Sequence, residues 1–224
     1  MSEADGVPGP VCGPAAPTAI RRGRTPSADV ERELLTAAEA VLVREGPGGL
    51  TVRAVATEAG IAPMGVYNRL GGKDGLVDAL LIRGFDRLRA VADATINDTT
   101  QPSMRARLFA CGLNYRKFAL ANPHFYAIMF ESAILHEHDN PEVEEHARAA
   151  FGALVRAVEL AAAAGVIAAP DPLEVAQQIW SAVHGAVALE LKGLVLTPDS
   201  QYTYETFLQT IFRGLAPAKA QDQA

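Results

Sequence analysis

Tyr67, Asn68, Arg69 and Lys73 bring a phenol, an amide and two cations into one short stretch, with Met64 and Gly65 just before them and Arg53 upstream. These side chains offer donors for phosphate oxygens and base edges, and Met64 offers an apolar contact for a thymine methyl. That is the chemistry of reading a nucleic acid, not of breaking bonds. No phosphate loop, nucleophile elbow, zinc-helix motif or triad spacing is found, so an enzyme has no support and no cofactor is expected. A second cluster, HEHDNPEVEEH from His136 to His146, places Glu142 and His146 four apart with two histidines upstream. A metal would suit those donors. Acid near a helix start and a solvated loop explain the cluster as well, and the site assignment is no metal.

The elements that must hold the first set are legible around it. Thr51 to Leu76 reads as two short helices separated by a glycine turn and followed by a longer helix, the layout of a helix-turn-helix that lays one helix in a DNA groove. A preceding helix runs from Ser27, a good N-cap, to Glu45, with Val30, Leu34, Ala37, Ala38, Val41 and Leu42 as one apolar stripe, and Gly46 stops it. Thr51 caps the second helix, in which Val52, Val55, Ala56 and Ala59 face inward, and Gly60 ends it. The third helix, of about eight residues or roughly 12 Å at 1.5 Å per residue, matches a major groove about 12 Å wide. Its i,i+4 spacing sets Ala62, Val66 and Leu70 inward and leaves Met64, Gly65, Tyr67 and Asn68 outward. Lys73 precedes a helix N-terminus, where backbone N–H groups already favour a phosphate. Arg53 and Tyr67 each have two readings, phosphate contact or, respectively, solvated charge and core edge.

Composition sets the wider bounds. The chain has 224 residues, 49% of them hydrophobic, enough to bury a core in one or two domains. The net charge of −6 argues mildly against nucleic acid, but its distribution does not: residues 20 to 96 carry 11 Lys/Arg against 10 Asp/Glu, while residues 97 to 224 carry 9 against 14. Cys12 and Cys111 suggest neither a disulfide framework nor a metal site. No apolar run is long enough to span a bilayer and no secretory signal is read, so the expected location is cytoplasmic.

Domain organisation follows from composition shifts. Residues 1–26 are expected to form a disordered arm in which Arg21, Arg22 and Arg24 are either solvated tail charge or an arm reaching DNA. Residues 27–72 are expected to form the helix-turn-helix domain, 73–96 a connecting helix with Leu76, Leu80, Leu81, Phe85 and Leu88 as its stripe, and 216–224 a disordered tail. The polar run at 95–103 separates these from a larger helical domain at 103–215, with helices expected at 103–121, 123–131, 141–164, 171–195 and 200–214. The fold class is therefore all-α.

The run Tyr67-Asn68-Arg69-Leu70-Gly71-Gly72-Lys73-Asp74-Gly75-Leu76 resembles the DNA-binding motif of TetR-family transcriptional regulators, which commonly ends in Tyr-Tyr-His-Phe, a small pair and Lys-Glu-x-Leu. Asn68, Arg69 and Leu70 depart from that pattern, and Ala62, Pro63 and Met64 stand where polar residues are usual. The resemblance implies phosphate contacts at Tyr67 and Lys73. Segments 115–130 and 180–191, the latter containing Trp180, His184 and Gly185, resemble the C-terminal domain of the family's Trp-His-Gly subgroup. What the resemblance implies is a homodimer, formed through the last two helices, that binds a palindromic double-stranded operator as a repressor and releases it on binding a small-molecule effector. Tyr115, Phe118, His124, Tyr126, Met129, Phe130, Trp180 and His184 are the candidate effector-binding residues, with Phe125 and Phe151 beside them; residue by residue, simple core packing accounts for them equally. The alternative function is an all-helical interaction protein with degenerate DNA binding.

Overall fold

A computed structural model describes residues 27–131 and 140–217, and every regular element among them is helical. The helices are α1 (Ser27–Gly49), α2 (Val52–Glu58), α3 (Pro63–Leu70), α4 (Lys73–Ile96), α5 (Met104–Ala121), α6 (Pro123–Phe130), α7 (Pro141–Ala163), α8 (Pro172–Leu191) and α9 (Ser200–Gly214). The all-α class is as expected. The arm at 1–26 with Arg21, Arg22 and Arg24, the cap expected of the Ser27 side chain, His136 and His138, and residues 218–224 lie outside what is described.

Local chemistry fixes most boundaries. Gly46 breaks α1 with φ 70, where the sequence predicts a stop. The Thr51 hydroxyl accepts from the Ala54 N–H at 3.1 Å, and Gly60 adopts φ 66 after α2. Ser103, Asn140, Asp171 and Asp199 cap α5, α7, α8 and α9 through their side-chain oxygens, each meeting a backbone donor left orphaned by the first turn.

Two expectations are corrected. Ala62 is exposed, because it is the N-cap of α3 with extended backbone (φ −70, ψ 145), so helical spacing does not reach it; Ile61 packs inward instead, beside buried Val66 and Leu70. The helix expected over 171–195 ends at Leu191. Gly193 takes φ 66, and the Leu194 N–H turns back to the Leu189 carbonyl at 2.9 Å, a left-handed C-terminal closure that leaves the apolar Leu194 in a loop.

α4 ties the halves together. Leu76, Leu80, Leu81 and Phe85 are buried in a core that starts with Leu34 and Val41 of α1, passes through Val55 and Val66, and continues into Phe125, Ile128 and Met129 of α6. Glu39 of α1 accepts from Arg83 at 2.6 Å and from Arg87 at 3.0 Å, and the Arg87 guanidinium lies 5.3 Å from the centre of the Phe125 ring. Along its other face α4 meets α7 through Asp78 with Asn140, Asp86 with His146 and Asp93 with Arg156. In the last helices, Arg116 of α5 grips Glu190 of α8 with two hydrogen bonds of 2.6 and 2.7 Å, which hold the Glu190 carboxyl below its usual range.

Candidate functional site

At the N-terminal end, α3 turns Met64 and Tyr67 to solvent, 64% and 54% exposed, with Asn68 and Arg69 also exposed on that helix. Gly65 differs: it is half-buried beneath Ile61, whose Cδ1 would lie 2.7 Å from a Cβ added there. That packing leaves no room for a side chain at Gly65. Arg53 is exposed at the start of α2, on the edge of a shallow cleft shared with Arg44, Thr51, Thr57 and Glu58. Arg44 and Glu58 pair at 2.8 Å across that cleft, joining α1 to α2.

The turn from α3 to α4 is built from glycine. Gly71 closes α3 with φ 72, donating its N–H to the Tyr67 carbonyl at 3.0 Å, and Gly72 follows with φ 98. The Tyr67 ring lies across Gly72, with Cε1 2.9 Å from where a Cβ would stand, so the phenol is carried to the start of α4 beside exposed Lys73. The residue before that helix is glycine, so its side chain supplies no cap. The Tyr67 ring and exposed Lys73 thus lie at a helix N-terminus whose backbone N–H groups favour an anion, an arrangement suited to a phosphate. Gly75 is more constrained still: a Cβ there would sit 1.7 Å from the Leu70 carbonyl oxygen. Only glycine allows α4 to approach the backbone of α3 this closely.

The second site is a cavity of about 270 Å³ bordered by α4, α5, α6, α7, α8 and α9. Of the sequence-derived candidates, Tyr115, Met129, Phe130 and Trp180 line it, as does Phe151. Five others do not. Phe118 of α5 and Phe125 of α6 belong to the core shared with α1 and α4, facing the N-terminal helices. His124 lies at the start of α6 against the Gly46 turn, its Nδ1 3.7 Å from a Cβ built at Gly46. Tyr126 and His184 stand behind the wall: the His184 Nδ1 meets the Tyr115 hydroxyl at 2.9 Å and the Tyr126 hydroxyl at 3.0 Å, and the rings of Tyr126 and His184 stack at 5.2 Å. Burial lowers the His184 pKa and favours neutral imidazole, pushes the Tyr115 phenol up to about 12, and raises Tyr126 further.

Sequence reading missed the contribution of α4, which lines the cavity with Phe85, Leu88, Val91 and Ala92, and of Ala147, Ala150 and Leu154 on α7. Their helical spacing marks an inward face, but nothing in it tells a packed face from one bordering a void. In the histidine-rich segment, the His146 Nδ1 meets Asp86 Oδ1 at 2.6 Å, and among the described residues no group of three metal-ligating side chains is found. No helix among them is long and apolar enough to cross a membrane.

Known proteins resemble both ends. Residues 34–80 match the family model for bacterial regulatory proteins of the tetR family, and residues 108–211 match that for the tetracyclin repressor-like C-terminal domain. The HTH-type transcriptional regulator Rv1816 of Mycobacterium tuberculosis is 24% identical over 200 residues, covering 78% of this chain and 86% of that protein. A solved structure of a protein of unknown function from Rhodococcus sp. RHA1 superposes with a TM-score of 0.77 at 28% identity, covering 89% of this chain and all of that one. A tetR-family regulatory protein from Rhodococcus RHA1 shares the fold with a TM-score of 0.63 at 18% identity, over 85% of this chain and 98% of that one. With the helix-turn-helix unit and the helical C-terminal part each matched in chain order, this chain belongs to the TetR family of transcriptional regulators.

Proposed function

We propose that the protein is a dimeric repressor that binds a palindromic operator and is released by a small-molecule effector held in the cavity. The observation that carries this reading is α4: it begins at Lys73, beside Tyr67 on the reading surface, and lines the cavity with Phe85, Leu88, Val91 and Ala92. One rigid element therefore touches both sites. A ligand that binds better to one setting of α4 favours one spacing of two reading helices, and the coupling equals that difference in affinity.

In this reading Tyr67, Lys73 and Arg53 hold phosphates and set the register, whereas Met64, Asn68 and Arg69 meet base edges. Tyr115, Met129, Phe130 and Trp180 contact the effector, with Tyr126 and His184 fixing the Tyr115 wall from behind. Trp180, His184 and Gly185 support reading the chain as one of the Trp-His-Gly subgroup. The dimer forms on α8 and α9, where Leu189 and Tyr202 are exposed and a Cβ at Gly185, one turn before Leu189, would meet nothing within 4 Å. Such an open face suits a second copy, and a two-fold pair of reading helices matches two half-sites. As a chromosomal repressor it acts in the cytoplasm. Light scattering on the full chain tests the assembly: a dimer at micromolar concentration is expected, and a monomer removes the two-fold operator from the account.

A further inference from the structure

The cavity wall also restricts the chemistry of its occupant; this rests on reading the cavity as the effector site. None of the described residues lining it is Asp, Glu, Lys, Arg or His, and the lining is aliphatic and aromatic apart from Tyr115, Cys111, Trp180 and glycine. The Tyr115 hydroxyl is already engaged, meeting the His184 Nδ1 at 2.9 Å. The Tyr126 hydroxyl also reaches the His184 carbonyl at 3.3 Å. The Cys111 thiol, pushed up to about 12 by burial, stays neutral. The charged pair that braces this part of the chain, Arg116 with Glu190, is not among the lining residues.

A charged ligand would leave its water partners and find no opposite charge in exchange, and a ligand with several strong hydrogen-bonding groups would find too few partners, which weakens binding by roughly tenfold or more for each unmet group. Size gives the second limit. An apolar cavity of roughly 150 Å³ takes benzene, and this one measures about 270 Å³. We propose that the cavity is a site for a neutral, predominantly apolar molecule about the size of one substituted or two fused rings, and that it rejects organic anions and cations of the same shape.

Three probes sharing one skeleton test this on the full chain: butylbenzene, phenylbutyrate and phenylbutylammonium. Trp180 is the chain's only tryptophan and lies on the cavity wall, so its fluorescence reports occupancy. Butylbenzene should change that fluorescence saturably and raise the melting temperature, with both ions at least about tenfold weaker. Ala147→Phe, which fills the cavity from a half-buried position on α7, should abolish the response, and Leu154→Phe gives a second filled variant. Equal or tighter binding of either ion overturns the proposal, as does absence of response to all three probes or a response that survives both filled variants. Butylbenzene binding that leaves DNA affinity unchanged supports the proposed ligand class while refuting the release mechanism.

Discussion

The two ends of α4 face opposite kinds of surroundings. At its start, Gly75 lies so close to α3 that a single added methyl would stand 1.7 Å from the Leu70 oxygen; in its second half, Leu88 and Val91 border a cavity of about 270 Å³. In the proposed function, the contrast follows from what each end has to do. A reading helix must hold its donors in fixed register with phosphates and base edges, which needs backbone held against backbone. A ligand site needs volume that the protein leaves unfilled at a cost in dispersion energy, because close-packed interiors do not normally contain such voids.

The sharpest way to break the contrast is Gly75→Ala. It should destabilise the fold by about 3 kcal/mol through overpacking and abolish DNA binding, read by thermal unfolding and a DNA titration. Gly185→Ala, at a helical glycine with open space around it, is the companion: the same added methyl should leave the secondary structure intact, and improved helix propensity should add up to about 1 kcal/mol unless the methyl disturbs a dimer contact. Next in size is Glu39→Gln, which removes the acceptor charge shared by Arg83 and Arg87 at the α1–α4 joint. With these side chains partly exposed, a loss of about 1 to 2 kcal/mol is expected in chemical denaturation.

Within the reading surface, Lys73→Ala should weaken binding by about tenfold to all sequences alike and lower the salt slope by about one, with Tyr67→Phe acting in the same sense but less. Asn68→Ala and Met64→Ala should instead change which operator is preferred, Asn68 by about 1 to 3 kcal/mol at one base pair if it pairs bidentately with adenine. Identical behaviour of the two sets would show that phosphate and base contacts are not divided as proposed.

The smallest effect concerns pH at the cavity wall. His184 has a folded-state pKa below its ordinary 6.5, so above that value both folded and unfolded chains hold it neutral and its contribution to stability is complete. As pH falls below 6.5 the unfolded chain takes up the proton first, and stability declines until the folded value is passed. His184→Gln should remove that component, seen as the difference between the two proteins' melting temperatures across the acidic range.

How far the sequence carried the structure depends on whether one residue or several decide the outcome. Thr51 announces a helix start because a cap is a local bargain between one side chain and the next turn; Ser103, Asn140, Asp171 and Asp199 strike the same bargain at starts that the polar breaks and prolines mark. Gly46 and Gly60 announce stops for the same reason. Apolar spacing likewise marks Val66, Leu70 and Leu80 as buried. It fails at Ala62, where the backbone is not yet helical, and at Leu194, which continues the apolar pattern of α8 beyond a glycine that has already ended it. The proposed phosphate set is legible because Tyr67 and Lys73 lie close in sequence around a glycine turn. The cavity is only half legible: aromatic character marks Tyr115, Phe130 and Trp180, but Phe118 and His124 share that character and face the N-terminal helices. Helix packing, set by pairs such as Arg116 with Glu190 that are 74 residues apart, separates these groups.

The central claim is that this chain selects a two-fold DNA sequence, and selection of bound duplexes from a random pool at several salt concentrations tests it most directly. The account predicts enrichment of an inverted repeat with half-sites about one helical turn or a multiple of it apart, bound by a dimer with affinity that falls as salt rises. Recovery of no sequence above random competitor at any salt concentration would contradict it.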